Sequence, residues 1–405
     1  MLEQLHPSRR GFSGEDIIFA LNGEAQKRAA AGEPVINATV GALLDDRGRL
    51  VVLETVMKVW RELGDMEVAP YAPITGDPAF LGTLTERHWP GLASTLGAPG
   101  SGCATPGGSG ALALSVKNFL APGMAVAAMA PYWGPYDTLS AEGGASIAPL
   151  PYPGEGGLDT TGWGKVIRGL LASQGRALIW LNDPCHNPTG RSLSKADRAA
   201  LFLLLREAAA LGPITLLLDL AYLDYTCEPQ AVREALDDYR AFAEEGTVLV
   251  GAALSVSKSL TLYGGRGGAL VFPWTKDAAL QAALAVSCRG LYSNCARAPQ
   301  SLVVKLNKDG HAIESLAAEH KHWSEVLEAR AAALDTALKA EGLNGAPWQG
   351  GFFVTLPVAD PAGTCERLKA KGVFVVPSPW GLRVGICGLK ATDAPRFAAA
   401  LKESL

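Results

Sequence analysis

The chain has 405 residues, 48% of them hydrophobic and 19% charged, and a formal net charge of -4. That composition describes a folded globular protein, and the mild negative charge gives no general attraction to nucleic acid or anionic lipid. No run reaches the roughly 18 apolar residues of a membrane span, and "MLEQLHPSRR" lacks the apolar centre of a secretory signal.

Seven cysteines without CxxC spacing read as reduced thiols in a cytoplasmic protein, and six scattered histidines give no expectation of a metal site. Neither a membrane nor a nucleic-acid partner is expected. The length predicts about two or three domains.

In chain order, the first 45 residues hold a helical pattern and "EPVINATVGAL", with no evident place in a central sheet. "TPGGSGALALSV", Thr105 to Val116, is a glycine-rich turn that opens a helix. Buried strands are predicted at Met124–Ala130, Ala177–Asn182, Thr215–Tyr222, Thr247–Leu254 and Gly268–Phe272. Helical patterns separate them, among them Ser194–Gly212, with a serine cap at one end and a glycine stop at the other. Such alternation predicts an α/β protein whose central sheet is mostly parallel and covered by helices. A long amphipathic pattern from about Ile313 to Glu341 breaks the alternation, and "GGFFVTLP" and "FVVPSPWGLRVGICGL" follow it. We expect a large domain over residues 46–311 and a smaller α/β domain built from residues 1–45 and 312–405.

Parallel sheets bind ligands at the carboxyl ends of their strands, and the unusual residues of this chain gather there. After "ALIWL" comes "NDPCHNPTG" with Asn187; "TLLLD" ends in Asp219, followed closely by Tyr222. "TVLVGAAL" leads into Ser255, Ser257 and Lys258, with Arg266 beyond them. The turn at Gly108 and Ser109 suits a phosphate bound on backbone N–H groups. Lys258 sits in "LSVSKSLTLYGGRGG", a stretch without an acidic residue, where an ammonium is costly to bury. Taken singly, Asp219 reads as a helix cap, Asn187 as a turn residue, Tyr222 and Trp133 as core aromatics, and Lys258 as a surface lysine. Taken in order, they match the needs of pyridoxal phosphate: an amine for its aldehyde, a carboxylate for its ring nitrogen, donors for its phenolic oxygen and a cradle for its phosphate.

The motifs "HNPTG", "D-x-A-Y" and "S-x-S-K…R-x-G", in that order, resemble the aspartate and aromatic aminotransferases, class I enzymes of pyridoxal-phosphate fold type I. The resemblance runs along most of the chain. It implies that Lys258 is the Schiff-base lysine and general base, that Asp219 pairs the pyridine nitrogen, and that Asn187 and Tyr222 contact the phenolic oxygen. Trp133 would stack on the ring, and with Asn187 would also face the substrate. Gly108, Ser109, Ser255 and Arg266 would hold the phosphate, joined by Tyr71 from a neighbouring subunit, which makes the enzyme a homodimer. Arg383 would fork onto the substrate α-carboxylate, under the segment at Gly41. Arg289, in "CRGLYSN", would reach a distal carboxylate from the neighbouring subunit or swing aside for an aromatic substrate. The expected activity is transfer of an α-amino group from a dicarboxylic or aromatic amino acid to a 2-oxo acid, by ping-pong half-reactions.

The chain departs from the family pattern at several places. Gly107 stands where a serine is frequent, Gly267 where a branched apolar residue is usual, and Tyr136 where a histidine is. Asn182 and Pro184 also differ. Two alternatives follow: a β-lyase or decarboxylase using the same cofactor, and a ligand-sensing regulator without activity. No basic helix-turn-helix pattern supports the second.

Overall fold

The computed structural model describes residue 4 and residues 16–92, 100–154 and 156–405. Most of the N-terminal stretch read above for a secretory signal thus lies outside the described residues. The chain divides into two compact units, one of Ala42–Ala329 and Pro347–Phe352, the other of Met1–Gly41, Arg330–Ala346 and Phe353–Leu405. These limits differ from the breaks expected at 45/46 and 311/312. The helix Gly310–Ala340 continues through Ala329 without interruption, so its periodicity carries no mark of the division.

Twelve strands are described: β1 (Ile36–Asn37), β2 (Ser101–Pro106), β3 (Ala125–Ala130), β4 (Ser146–Pro151), β5 (Ala177–Leu181) and β6 (Ile214–Asp219), then β7 (Leu249–Ser255), β8 (Gly267–Phe272), β9 (Phe353–Leu356), β10 (Val373–Phe374), β11 (Val376–Ser378) and β12 (Gly381–Gly385). In the larger unit seven of them form a sheet in the order β2-β8-β7-β6-β5-β3-β4. The pairs β4–β3, β3–β5, β5–β6 and β6–β7 are parallel. Every residue of β5, β6 and β8 is buried, as unbroken apolar runs covered on both faces should be.

Strand β8 runs against its neighbours, antiparallel to both β7 and β2. Only short turns join Ser255 to Gly267, and a parallel return requires a crossover of a dozen or more residues, usually helical. This reversal decides the layout of the site. β2, β5, β6 and β7 finish on one edge of the sheet, and β8 begins on that same edge. The strands that sequence periodicity missed, β2 ("SGCATP") and β4 ("SIAPLP"), are the two outermost. Glycine and proline weaken strand propensity and are tolerated at sheet edges.

Helix ends follow local chemistry. Ser194 caps Lys195–Ala209, its hydroxyl accepting from the Asp197 N–H while the Asp197 carboxylate accepts from the Ser194 N–H. In the smaller unit β1 pairs in parallel with β10, and β11, β12 and β9 form an antiparallel sheet. There the buried Arg330 donates to the carbonyl of Cys387 at 2.9 Å.

The close approach of β8 to the turn after β2 yields a stability prediction. A Cβ at Gly268 would lie 2.4 Å from the carbonyl carbon of Gly107, a backbone atom that has no rotamer to yield. Gly268→Ala is expected to lower unfolding free energy by about 1–3 kcal/mol in urea titration. Wild-type stability in the variant would show that the two segments have slack.

Candidate active site

Lys258 lies on a one-turn helix, Val256–Ser259, that starts where β7 ends. Ser255 stops the strand, and its hydroxyl accepts from the Ser257 N–H at 3.2 Å. The half-buried Lys258 Nζ lies 4.8 Å from the centre of the Tyr263 ring and 5.9 Å from the rings of Tyr222 and Phe352. Aromatic faces offset part of the cost of taking an ammonium out of water, about 0.5–2 kcal/mol per contact. Sequence reading found Tyr222 but not Tyr263 or Phe352. Phe352 comes from the short return segment Pro347–Phe352, and nothing local in the sequence links it to Lys258.

Asp219 ends β6 and is buried. The Tyr136 hydroxyl donates to its Oδ2 at 2.8 Å. Burial pushes its carboxyl up to about 6, against the opposing hydrogen bonds from Tyr136 and the Ala221 N–H. Burial, with Asp219 beside it, holds the Tyr136 phenol well above its usual range. Asn182 braces the neighbouring turn: its Nδ2 donates to the Asp219 carbonyl at 2.7 Å, and its Oδ1 accepts from the Asn187 N–H at 2.5 Å. Asn187 Nδ2 in turn donates to the Tyr222 hydroxyl at 3.4 Å, while Asn187 Oδ1 is buried without a hydrogen-bond partner. A carboxyl raised by dehydration and an orphaned amide oxygen both mark a place built for a polar ligand.

The helix Gly107–Phe119 opens directly after β2, and its first N–H groups have no partner within the helix. Gly107 has φ +75°, and a Cβ there would stand 2.6 Å from Arg266 Nη2. Arg266 therefore occupies the room that a side chain at 107 would take, which accounts for glycine in place of serine. The guanidinium donates to the carbonyls of Pro106 (3.2 Å) and Tyr263 (3.0 Å) and to the Ser257 hydroxyl (3.3 Å). Arg266 itself adopts φ +53°, a strained conformation for a side-chain-bearing residue. Gly108 faces Ser255 closely enough that its Cβ would lie 3.4 Å from the serine Cβ. Gly267 is explained by Val256 and Pro299, whose side chains stand within 3.0 Å of its absent Cβ. Ser109 is half-buried in the same first turn, and Trp133, also half-buried, meets Tyr136 edge-on at 6.0 Å.

Tyr71 and Arg289 stand on the surface of the larger unit. Tyr71 is 89% exposed, and Arg289 is exposed with its Nη1 donating to the Ser293 hydroxyl at 2.8 Å. Their segments are tied together by Asn294 Nδ2, which donates to the Ala72 carbonyl at 3.1 Å. Arg383 and Gly41 belong to the smaller unit. There Arg383 is buried in β12, donates to the Thr39 carbonyl at 2.6 Å and lies 4.4 Å from the centre of the Phe353 ring. Among the described residues no cluster of His, Cys, Asp or Glu is arranged to hold a metal ion, and no helix is long and apolar enough to cross a membrane.

The profile of the family described as aminotransferase class I and II matches residues 33–401. The chain belongs to this family. The aminotransferase is 26% identical to the mitochondrial aspartate aminotransferase of Schizosaccharomyces pombe, with 97% of this chain and 91% of that protein covered. It is 28% identical to the tyrosine aminotransferase of Rhizobium meliloti, with 95% and 96% covered. A solved aminotransferase from Anaerococcus prevotii superposes with a TM-score of 0.90 at 28% identity, covering 99% of this chain and 98% of the other. The chain is thus an enzyme of fold type I.

The aminotransferase carries Asp219 at a stability cost that can be measured. Its folded carboxyl, near 6, lies above its ordinary value of 3.8, so the folded chain holds a proton that the unfolded chain has lost between those limits. The contribution of this proton is present below about pH 4 and is lost as pH rises through 6. In the ligand-free chain, Asp219→Asn is expected to flatten this fall and to gain up to about 3 kcal/mol over wild type at pH 7. Urea midpoints of both proteins at pH 4 and pH 7 are the measurement. Parallel pH dependence in the two would refute a dehydrated Asp219.

Proposed function

We propose that this aminotransferase uses pyridoxal phosphate to move the α-amino group of a dicarboxylic or aromatic amino acid to a 2-oxo acid, as a cytoplasmic homodimer with shared active sites. The observation that carries the reading is the gathering of Lys258, Asp219, the Asn187–Tyr222 pair, Ser255, Arg266 and the Gly108–Ser109 turn at one edge of one sheet. The bound cofactor supplies an electron sink for the substrate α-carbon and stores the amino group between half-reactions.

Each residue has a task that follows from its surroundings. Lys258 would hold the cofactor's aldehyde carbon, and its amine is placed to move a proton at the substrate α-carbon. Asp219, dehydrated and flanked by neutral donors, would pair with a protonated ring nitrogen, and such a cation beside it would draw its carboxyl back toward the ionised form. Asn187 and Tyr222 would hold the phenolic oxygen, and Trp133 would lie against the ring. The first N–H groups of the helix Gly107–Phe119, with Ser255 and Arg266, would hold the phosphate. Arg383 binds the substrate α-carboxylate, with the segment at Gly41 beside it.

The dimer reading is supported by exposed apolar side chains around the two residues assigned to a second subunit. Met66, Val68 and Ile74 flank Tyr71, and Val286 and Leu291 flank Arg289; all five are at least 41% exposed. Exposed apolar side chains on two segments joined by the Asn294–Ala72 hydrogen bond suit an interaction site, and a second copy of the chain is the partner we propose. The seven cysteines are all free thiols, as a reducing compartment would keep them.

Two variants test the reading together. Lys258→Ala is expected to abolish turnover. Arg289→Ala is expected to cost about 2–5 kcal/mol in kcat/KM for aspartate and glutamate, because it strands a desolvated carboxylate. The same change should cost less than about tenfold for tyrosine and phenylalanine, which have no distal charge. Equal losses across the four donors would overturn the role of Arg289, and residual turnover in Lys258→Ala would overturn the site.

A further inference from the structure

Behind the Lys258 turn lies a group of charged and polar residues that the reaction does not use. We infer that His320 is a positioning residue, which fixes the Lys258 turn through the backbone carbonyl of Ser259. The inference rests on the reading of Lys258 as the reacting amine.

The helix Val256–Ser259 is one turn long, and carbonyls at a helix end have no partner in the turns beyond. His320, on the helix Gly310–Ala340, lies with Nε2 2.5 Å from the Ser259 carbonyl oxygen. A carbonyl only accepts, so Nε2 carries the hydrogen. The turn is therefore gripped at both ends, by the Ser255 hydroxyl at its start and by the imidazole at its close.

The imidazole is itself held. Arg87 Nη2 pairs with Asp224 Oδ1 at 2.7 Å, whereas His320 Nδ1 is 3.9 Å from the same oxygen. The arginine, not the histidine, takes the charge of Asp224, and this leaves a neutral imidazole with its hydrogen on Nε2. Burial favours the same state, drawing His320 below its ordinary value. The Ser324 hydroxyl donates to the Asp224 carbonyl at 3.3 Å and ties that loop to the helix bearing His320. A second path of contact runs through rings: His320 meets Tyr225 edge-on at 5.6 Å, Tyr225 packs on Phe352 at 5.0 Å, and Phe352 faces Lys258 Nζ. Both routes from the imidazole end at the lysine.

The test compares His320→Leu with His320→Gln in the holoenzyme. Leucine fills the space without a donor, whereas the glutamine amide reaches to where Nε2 stands and keeps one. In His320→Leu, hydrogen exchange of the peptide covering Ser255–Thr261 should quicken by about tenfold, as loss of one buried hydrogen bond allows. Its kcat should fall about ten- to a hundredfold, with KM within about twofold, because misplacement acts on the chemical step. His320→Gln should restore both readouts to within about threefold of wild type. If the leucine variant fails to fold, His320→Asn, polar but too short to reach the carbonyl, is read in its place. Wild-type exchange and kcat in the donorless variant, or equal losses with glutamine, would overturn the role. Exchange does not depend on which reaction Lys258 performs. Failure of this inference is therefore distinct from failure of the lysine's own assignment, which Lys258→Ala reports.

Discussion

The reversed strand β8 is the constraint on which the site depends. Its pairing with β2 on one side and β7 on the other sets Pro106 opposite Gly267 and Ser255 opposite Gly268. The end of β2, distant in sequence, thus meets the β7–β8 connection within reach of one guanidinium, that of Arg266. The glycines at 107, 267 and 268 follow from that convergence: each gives up its side chain because a backbone or another residue already fills the space. Had β8 joined in parallel, its first residues would lie at the opposite edge, and Arg266 with them.

The site also handles its charges in an unusual manner. Asp219 is buried against a phenol and backbone groups, and Lys258 looks toward three aromatic rings. A ligand that brought a cation to the carboxylate and an electrophile to the amine would relieve both conditions at once.

Much of this was legible in the sequence because central parallel strands are unbroken apolar runs: the ends of β5 and β7 could be read closely, while the expected β6 ran past Asp219 to Tyr222. The edge strands could not, since "SGCATP" and "SIAPLP" carry little strand propensity and owe their conformation to their neighbours. Among site residues, Asp219 stood out because it closes a strand, and Lys258, Tyr222 and Asn187 because each comes soon after a strand end. Tyr263 and Phe352 did not, as aromatic residues are far more often core. Arg87, Asp224 and His320 carry no mutual spacing at all. Only the packing of the helix Gly310–Ala340 in the larger unit reveals them as neighbours.

Tyr136 has a further consequence for how the enzyme meets changes in acidity. A histidine in that place would gain and lose charge near neutrality and would transmit each change to the carboxylate it touches. The phenol of Tyr136, buried and held well above its ordinary range, keeps one proton and one hydrogen bond throughout. It acts as an electrostatic insulator: on that side, the partner of Asp219 is the same neutral donor in mild acid and in mild base.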